Sequence, residues 1–254
     1  MKEDVKMNAS KEVGKVFLNN SFRNGISDGI PIGLGYLSVA FTFGIMAIEG
    51  GLPVAVAVLI SMTNLTSAGQ LAGIGVMFAG GSLIEMALTQ LIINLRYALM
   101  SVSLSQKMHS SVRIIDRFWI AFGNTDEIFA VSASKPGELG KRYMLGLIIM
   151  PFLGWSGGTL IGAVAGKLLP EIIVKSLGIA IYGMFLAVFI PPMKKSAAVS
   201  LVVCIAATLS CLFKYLPALN DVSPGFVIII CAVASALIGA IVKPIKGQEE
   251  YTDD

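Results

Sequence analysis

The chain has 254 residues, 55% of them hydrophobic and 14% charged, and its mean hydropathy is +0.79. Soluble domains carry about 25% charged residues, so this composition excludes an ordinary water-soluble fold. A net charge of +3 gives no sign of a nucleic-acid partner. From Asn24 to Ser105 the only charged residues are Asp28, Glu49, Glu85 and Arg96. That much apolar chain predicts an all-α integral membrane protein.

Residues 1–23 read as a basic cytoplasmic segment, in which Val13, Val16 and Phe17 suit the anionic inner leaflet. No short apolar region with a small-residue cleavage site precedes Ile30, so no cleavable signal peptide is expected. Residues 24–243 read as the transmembrane domain and 244–254 as an acidic cytoplasmic tail. A bilayer core asks for about 20 apolar residues per helix. Windows at 30–48, 82–105, 143–166, 171–190, 197–213 and 225–242 meet that demand. Leading into the first, Gly25, Gly29 and Gly33 recur every fourth residue, with Pro31 and Gly35 interleaved, and predict a close helix–helix contact. Pro31 is expected near the helix start, where it removes no internal hydrogen bond. Asp28 reads as a cap of that start, with an intracellular mouth as the alternative.

Two stretches do not read as plain spans. Residues 52–80 would make one helix about 42 Å long, more than the hydrocarbon core, and the middle is polar. That middle runs Ser61, Met62, Thr63, Asn64, Leu65, Thr66, Ser67, Ala68, Gly69, Gln70. In residues 118–134, Gly123, Asn124, Thr125, Asp126 and Glu127 interrupt two short apolar flanks. One acid at the centre of a span costs about 2.5–3.5 kcal/mol on insertion scales, so this pair should face a cavity or a cation. Broken backbone survives at membrane depth only inside protein or beside water.

Basic residues discriminate between re-entrant and crossing segments, because short cytoplasmic loops are enriched in Lys and Arg. Six full spans with two re-entrant segments put 15 of the 19 basic residues on the cytoplasmic side. Only Lys167, Lys175 and Lys214 then lie outside, with Arg96 inside a span. Full crossing by both segments worsens the split to 12 against 6. The expected architecture is therefore six transmembrane helices plus two broken or re-entrant segments, with seven to eight full spans as the alternative and the N-terminus cytoplasmic. Their tips would meet near the midplane, the arrangement by which broken helices form transport sites.

Arg96 lies too deep in its span to snorkel to the interface and needs a partner. Glu85, about 16 Å away along the same helix, is too distant. Asp126 or Glu127 is the expected counter-ion, giving a charge relay or a substrate clamp, or else a structural ion pair. Glu85 is expected to reach water at its helix end. Asn64, Thr66, Ser67 and Gln70 carry groups that could read amino and carboxylate groups, with Gly69 allowing close approach; interhelical packing is the competing role. His109 falls in a basic loop and is assigned no role. Cys204, Cys211 and Cys231 lie in apolar spans and read as packing residues. No CxxC, HExxH, Walker A or GxSxG pattern is present, so no metal, cofactor or catalytic residue is expected.

The runs FRNGISDGIPIGLGYLSVAFTFG, SAGQLAG, LIINLRYALMSVSLS and FGNTDEIFAVS together resemble the AzlC family of branched-chain amino-acid export proteins. The resemblance is densest from Phe22 to Ala133, and the N-L-R and T-D-E triplets are its most specific parts. It implies efflux of valine, leucine or isoleucine across a bacterial plasma membrane, together with a small membrane partner of the AzlD type. It places Gln70, Asn94, Arg96, Asp126 and Glu127 at motif positions. The family's A-G-S-A-Q pattern reads in this chain as Thr66, Ser67, Ala68, Gly69, Gln70, which moves the glycine and puts the substrate preference in question. Without an ATP-binding motif, an ion or substrate gradient would drive transport, with Asp126 or Glu127 carrying the proton and Arg96 beside them. A facilitator for another small solute is the alternative, and a membrane-embedded enzyme the third reading.

Overall fold

The computed structural model describes residues 21–166, 168, 170, 172, 183, 186, 189–219 and 221–243. Residues 1–20 and 244–254 lie outside them, as does most of the predicted span 171–190. Among the described residues the chain is helical, apart from turns and one isolated β-bridge between Met108 and Leu139. Five helices are long and apolar enough to cross a bilayer: α1 (Phe22–Glu49), α4 (Leu83–Gln106), α7 (Lys141–Ala165), α8 (Ala197–Tyr215) and α9 (Pro224–Val242). The stretch 52–80 is α2 (Val54–Thr63) and α3 (Ser67–Phe78), and 118–134 falls in α5 (Ile114–Phe122) and α6 (Asp126–Ser134). The expected all-α membrane architecture is therefore present, with helix breaks in both polar stretches.

The chain divides into two units, one made of residues up to Gln70 with 94–178, the other of 71–93 with 179 onward. In the first, α1 and α7 lie against each other through glycines. A Cβ on Gly29 would stand 2.6 Å from the Leu147 carbonyl, and one on Gly33 2.6 Å from that of Met150. Gly25 meets the backbone of Tyr143 more closely still, and α7 answers with Gly146, Gly154, Gly158 and Gly162 against α1. Removing side chains lets two backbones touch, which in lipid is a main source of helix association. Gly35 has nothing within 4 Å and takes no part.

Two expectations about α1 are corrected. The helix starts at Phe22, capped by the Ser21 side chain, which accepts from Asn24 N at 3.2 Å. Pro31 therefore lies inside the helix. Asp28 does not cap; it pairs with Lys135 at 2.7 Å and accepts from the Tyr143 hydroxyl at 2.8 Å.

The two helices α5 and α6 form a hairpin. Each arm has nine residues, about 14 Å, or half a hydrocarbon core. Its flanks are tied together: His109 N donates to Leu139 O at 3.0 Å, and Leu139 N to Lys107 O at 2.9 Å. The Lys107 ammonium reaches the carbonyls of Ala133 and Lys135, the cation a helix C-terminus favours. Arg117 donates to Ser105 O at 2.7 Å. Entry and exit lie side by side, so the segment is a hairpin, the shape expected of a re-entrant segment.

At the loop end of α5, Asp116 is held by Lys141 at 2.6 Å and Arg113 at 3.3 Å. Those hydrogen bonds, the one from Lys141 foremost, keep its carboxyl below the usual carboxylate range.

In the second unit α8 packs on α9, where Gly239 accommodates the Val202 side chain. Glu85, expected to reach water, is buried instead. Its Oε1 accepts from Gly225 N in the first turn of α9 at 2.8 Å. Two helix N-termini, its own and that of α9, favour a negative group at that point. The three cysteines are free, with Cys231 buried.

Candidate functional site

The first break lies where α2 ends. Thr63 turns its hydroxyl back on Leu59 O at 2.8 Å, and Asn64 adopts an extended backbone (φ −141°, ψ 102°). The Asn64 carbonyl would be orphaned at this point. It receives Gln70 Nε2 at 3.1 Å and Trp155 Nε1 at 3.2 Å, so side chains replace the lost helical donors. Trp155 in turn stands edge-on to Tyr36 of α1, with ring centroids 5.2 Å apart.

Gln70 also donates to Ser61 Oγ at 2.8 Å. Ser61 meets Thr159 Oγ1 at 2.6 Å, and Thr159 reaches Ala40 O at 3.4 Å. Gln70, Ser61 and Thr159 are all at most 1% exposed. The two bonds to acceptors fix the Gln70 amide: reversing it would set its oxygen against the Asn64 carbonyl. Its Oε1 has no hydrogen-bond partner among the described residues.

The second break follows Gly123, where a Cβ would strike the Ile148 side chain. Thr125 caps α6 by accepting from Ile128 N at 3.4 Å, and Asp126 and Glu127 occupy the first turn, where the helix dipole favours acids. Asn124 is 3% exposed and donates Nδ2 to Ser101 Oγ of α4 at 3.1 Å, while its Oδ1 has no partner among the described residues.

Tyr97 of α4 joins the breaks. Its hydroxyl receives Thr66 Oγ1 at 3.0 Å and Arg96 Nη2 at 3.0 Å, and donates to Asp126 Oδ2 at 3.4 Å. One proton and two lone pairs are thereby all used. Arg96 bonds Asp126 directly at 2.7 Å, so Asp126 is the counter-ion that the sequence required. Glu127 goes elsewhere, accepting from the Tyr36 hydroxyl, which also lies 2.6 Å from the Thr125 hydroxyl.

Between the breaks lies a cavity of about 140 Å³. Its polar wall is Asn64, Thr66, Asn94, Tyr97, Asn124 and Thr125, with Thr63 at one side, and its apolar wall is Leu65, Ala121 and Phe122. Of the residues singled out from sequence, Asn64, Thr66 and Asn94 line it. Arg96 and Asp126 adjoin it through Tyr97, whereas Ser67, Gly69 and Gln70 are not in the wall, Gln70 standing behind Asn64. Sequence reasoning missed Tyr36 and Tyr97, and it marked Asn124 and Thr125 as part of the break without giving them a place in the site. Tyr97 adjoins Arg96 in the N-L-R-Y run and Asn124 sits in the break itself, so both were within reach of the same reasoning.

The family model described as AzlC protein matches residues 31–169, more than half of the chain. An uncharacterized membrane protein of Archaeoglobus fulgidus is 33% identical over 175 residues, 68% of this chain and 76% of its own length. Inner membrane protein YgaZ of Escherichia coli K12 is 31% identical over 151 residues, 58% of this chain and 62% of its own. An uncharacterized membrane protein of Helicobacter pylori is 26% identical over 150 residues, 58% of this chain and 65% of its own. The matched region thus spans less than two thirds of these last two relatives. No solved structure matches. The family match contains both helix breaks, the Arg96–Asp126 pair and the whole cavity wall, and this chain belongs to the AzlC family of membrane proteins.

Proposed function

We propose that this chain is a secondary transporter that exports branched-chain amino acids such as valine, leucine and isoleucine across the bacterial plasma membrane. It works with a small AzlD-like membrane subunit, and its N-terminus is cytoplasmic. The observation that carries the reading is the meeting of two helix breaks on one polar cavity, with an arginine–aspartate pair joined to it by a tyrosine hydroxyl. Such breaks gather polar groups at membrane depth, where a substrate can meet them. An ionisable pair within membrane-depth segments has a high energetic cost and is retained for function.

The mechanism follows from the junction. With Asp126 charged, Arg96 and Tyr97 are both held to it, and Tyr97 holds Thr66, so the two breaks are latched together. A proton on Asp126 cancels its charge, and with it most of its hold on Arg96 and Tyr97, which loosens the latch. Glu127, held by Tyr36, is the second acid of the pathway and ties α6 to α1. Proton entry from outside thereby drives release of cargo taken up from the cytoplasm.

Comparing accumulation of labelled valine, leucine and methionine in cells with and without this protein, co-expressed with a small AzlD-type subunit, tests the reading. Lower steady-state valine and leucine in the expressing cells supports it. Levels of valine and leucine equal to those in cells without the protein refute it. Uphill efflux that persists with both Asp126 and Glu127 neutralised assigns the coupling to another group, whereas efflux that runs only downhill favours a facilitator.

A further inference from the structure

We infer that the cavity takes the α-ammonium and α-carboxylate end of the amino acid and leaves most of its side chain outside, with Asn124 Oδ1 as the ammonium acceptor. This rests on the amino-acid reading above and adds what that reading does not specify, the part of the substrate that the protein recognises.

Volume is the first argument. A cavity of about 150 Å³ is known to seat benzene, six heavy atoms. The cavity between the breaks is of that size, about 140 Å³. The head of an amino acid has five heavy atoms and its Cβ makes six, so alanine fills the space and the branches of valine or leucine project beyond it.

Charge is the second. No lining residue is charged, and the nearby Arg96 and Asp126 bind each other at 2.7 Å. A neutral wall carrying the carboxamides of Asn64, Asn94 and Asn124 offers both donors and acceptors, which suits a zwitterion and disfavours a lone anion or cation. The third argument is the orphaned acceptor. Asn124 is 3% exposed, spends its N–H on Ser101, and leaves Oδ1 without a partner among the described residues. A buried acceptor without a partner is unusual, and a small turn of this carboxamide into the cavity would present it to the ammonium, the strongest donor that the proposed cargo brings. Leu65, Ala121 and Phe122 then face the Cβ.

A site built on hydrogen bonds rejects analogues lacking the bonded group far more strongly than it discriminates methylenes. The test is binding to the full chain in lipid nanodiscs by titration with alanine, leucine, 4-methylpentanoate (leucine without its amino group) and 3-methylbutylamine (leucine without its carboxylate). Alanine and leucine should bind within about tenfold of each other, and the two analogues at least about a hundredfold more weakly than leucine. Asn124→Leu should weaken both amino acids by about tenfold or more, and Asn124→Asp, which keeps the oxygen, should restore them. The inference is overturned if 4-methylpentanoate binds like leucine, if alanine binds a hundredfold more weakly, if Asn124→Asp fails as Asn124→Leu does, or if none of the four binds. Leucine export alongside any of these results leaves the transport reading standing. The expected binding pattern without export overturns the transport reading alone.

Discussion

The hydrogen bond from Thr66 to Tyr97 is the direct tie between the first helix break and the span that carries Arg96, and a double-mutant cycle measures it. Tyr97→Phe deletes an oxygen with three partners, at 3.0 Å to Thr66, 3.0 Å to Arg96 and 3.4 Å to Asp126. Arg96 and Asp126 retain each other at 2.7 Å when that oxygen is gone, and pairing the variant with one at Thr66 isolates the Thr66–Tyr97 bond. Thr66 is 4% exposed, and leaving its hydroxyl unpaired costs about 1–3 kcal/mol. Thr66→Val removes the same bond from the other side. Interhelical hydrogen bonds in membranes measured this way average about 0.6 kcal/mol and reach about 1.7 kcal/mol. The burial of Thr66 places this one in the upper half of that range. Unfolding of wild type, both single variants and the double variant in nanodiscs gives the coupling. Strictly additive single effects would show that the hydroxyls do not meet and that the breaks are not joined through Tyr97.

The glycine contact predicts different outcomes at two positions six residues apart. Gly29→Ala puts a Cβ 2.6 Å from the Leu147 carbonyl and should destabilise by about 1–3 kcal/mol. Gly35→Ala meets nothing within 4 Å and should be neutral or stabilising by up to about 1 kcal/mol; thermal unfolding of the two variants compares them. The hairpin predicts that single cysteines placed at Ser110 and at Glu138, flanking α5 and α6, label from the same side of the membrane; labelling from opposite sides would disprove the fold-back. Asp116 sets a pH dependence. Its folded-state carboxyl is held below the ordinary value near about 3.9, so its contribution is complete above that value and is lost as pH falls through the lowered one. Melting between pH 7 and pH 3 should therefore show an acid-side loss that is shallower in Asp116→Asn.

Hydropathy made the spans legible, and side-chain polarity marked both breaks, because in lipid each interruption needs its backbone satisfied and so must recruit polar residues. Helix ends were less legible. Arg23, Asn24 and Asp28 lower the hydropathy of the first two turns of α1, yet those turns are helical, since Ser21 caps them and Asp28 has Lys135 and Tyr143 as partners. Apolar windows report membrane thickness, whereas helices end at caps. Glu85 misled for a related reason: proximity to a helix end suggested water, but the start of α9 occupies that place. The glycine face of α1 was read and its counterpart on α7, with glycines at 146, 154, 158 and 162, was not, although it obeys the same spacing. Tyr36 shows the limit of local patterns. Its partners Thr125 and Glu127 are 89 and 91 residues away, and nothing near Tyr36 in sequence marks them.

The central claim is that amino-acid export runs through the junction of the two breaks and depends on the Arg96–Asp126 pair. Proteoliposomes containing this protein and a small AzlD-type subunit, loaded with labelled leucine and given an inward proton gradient, test it directly with wild type, Arg96→Ala and Asp126→Asn. The account predicts gradient-driven leucine release from the wild type and at least about a tenfold loss in each variant, with both variants still folded. Undiminished release from folded Asp126→Asn would contradict it.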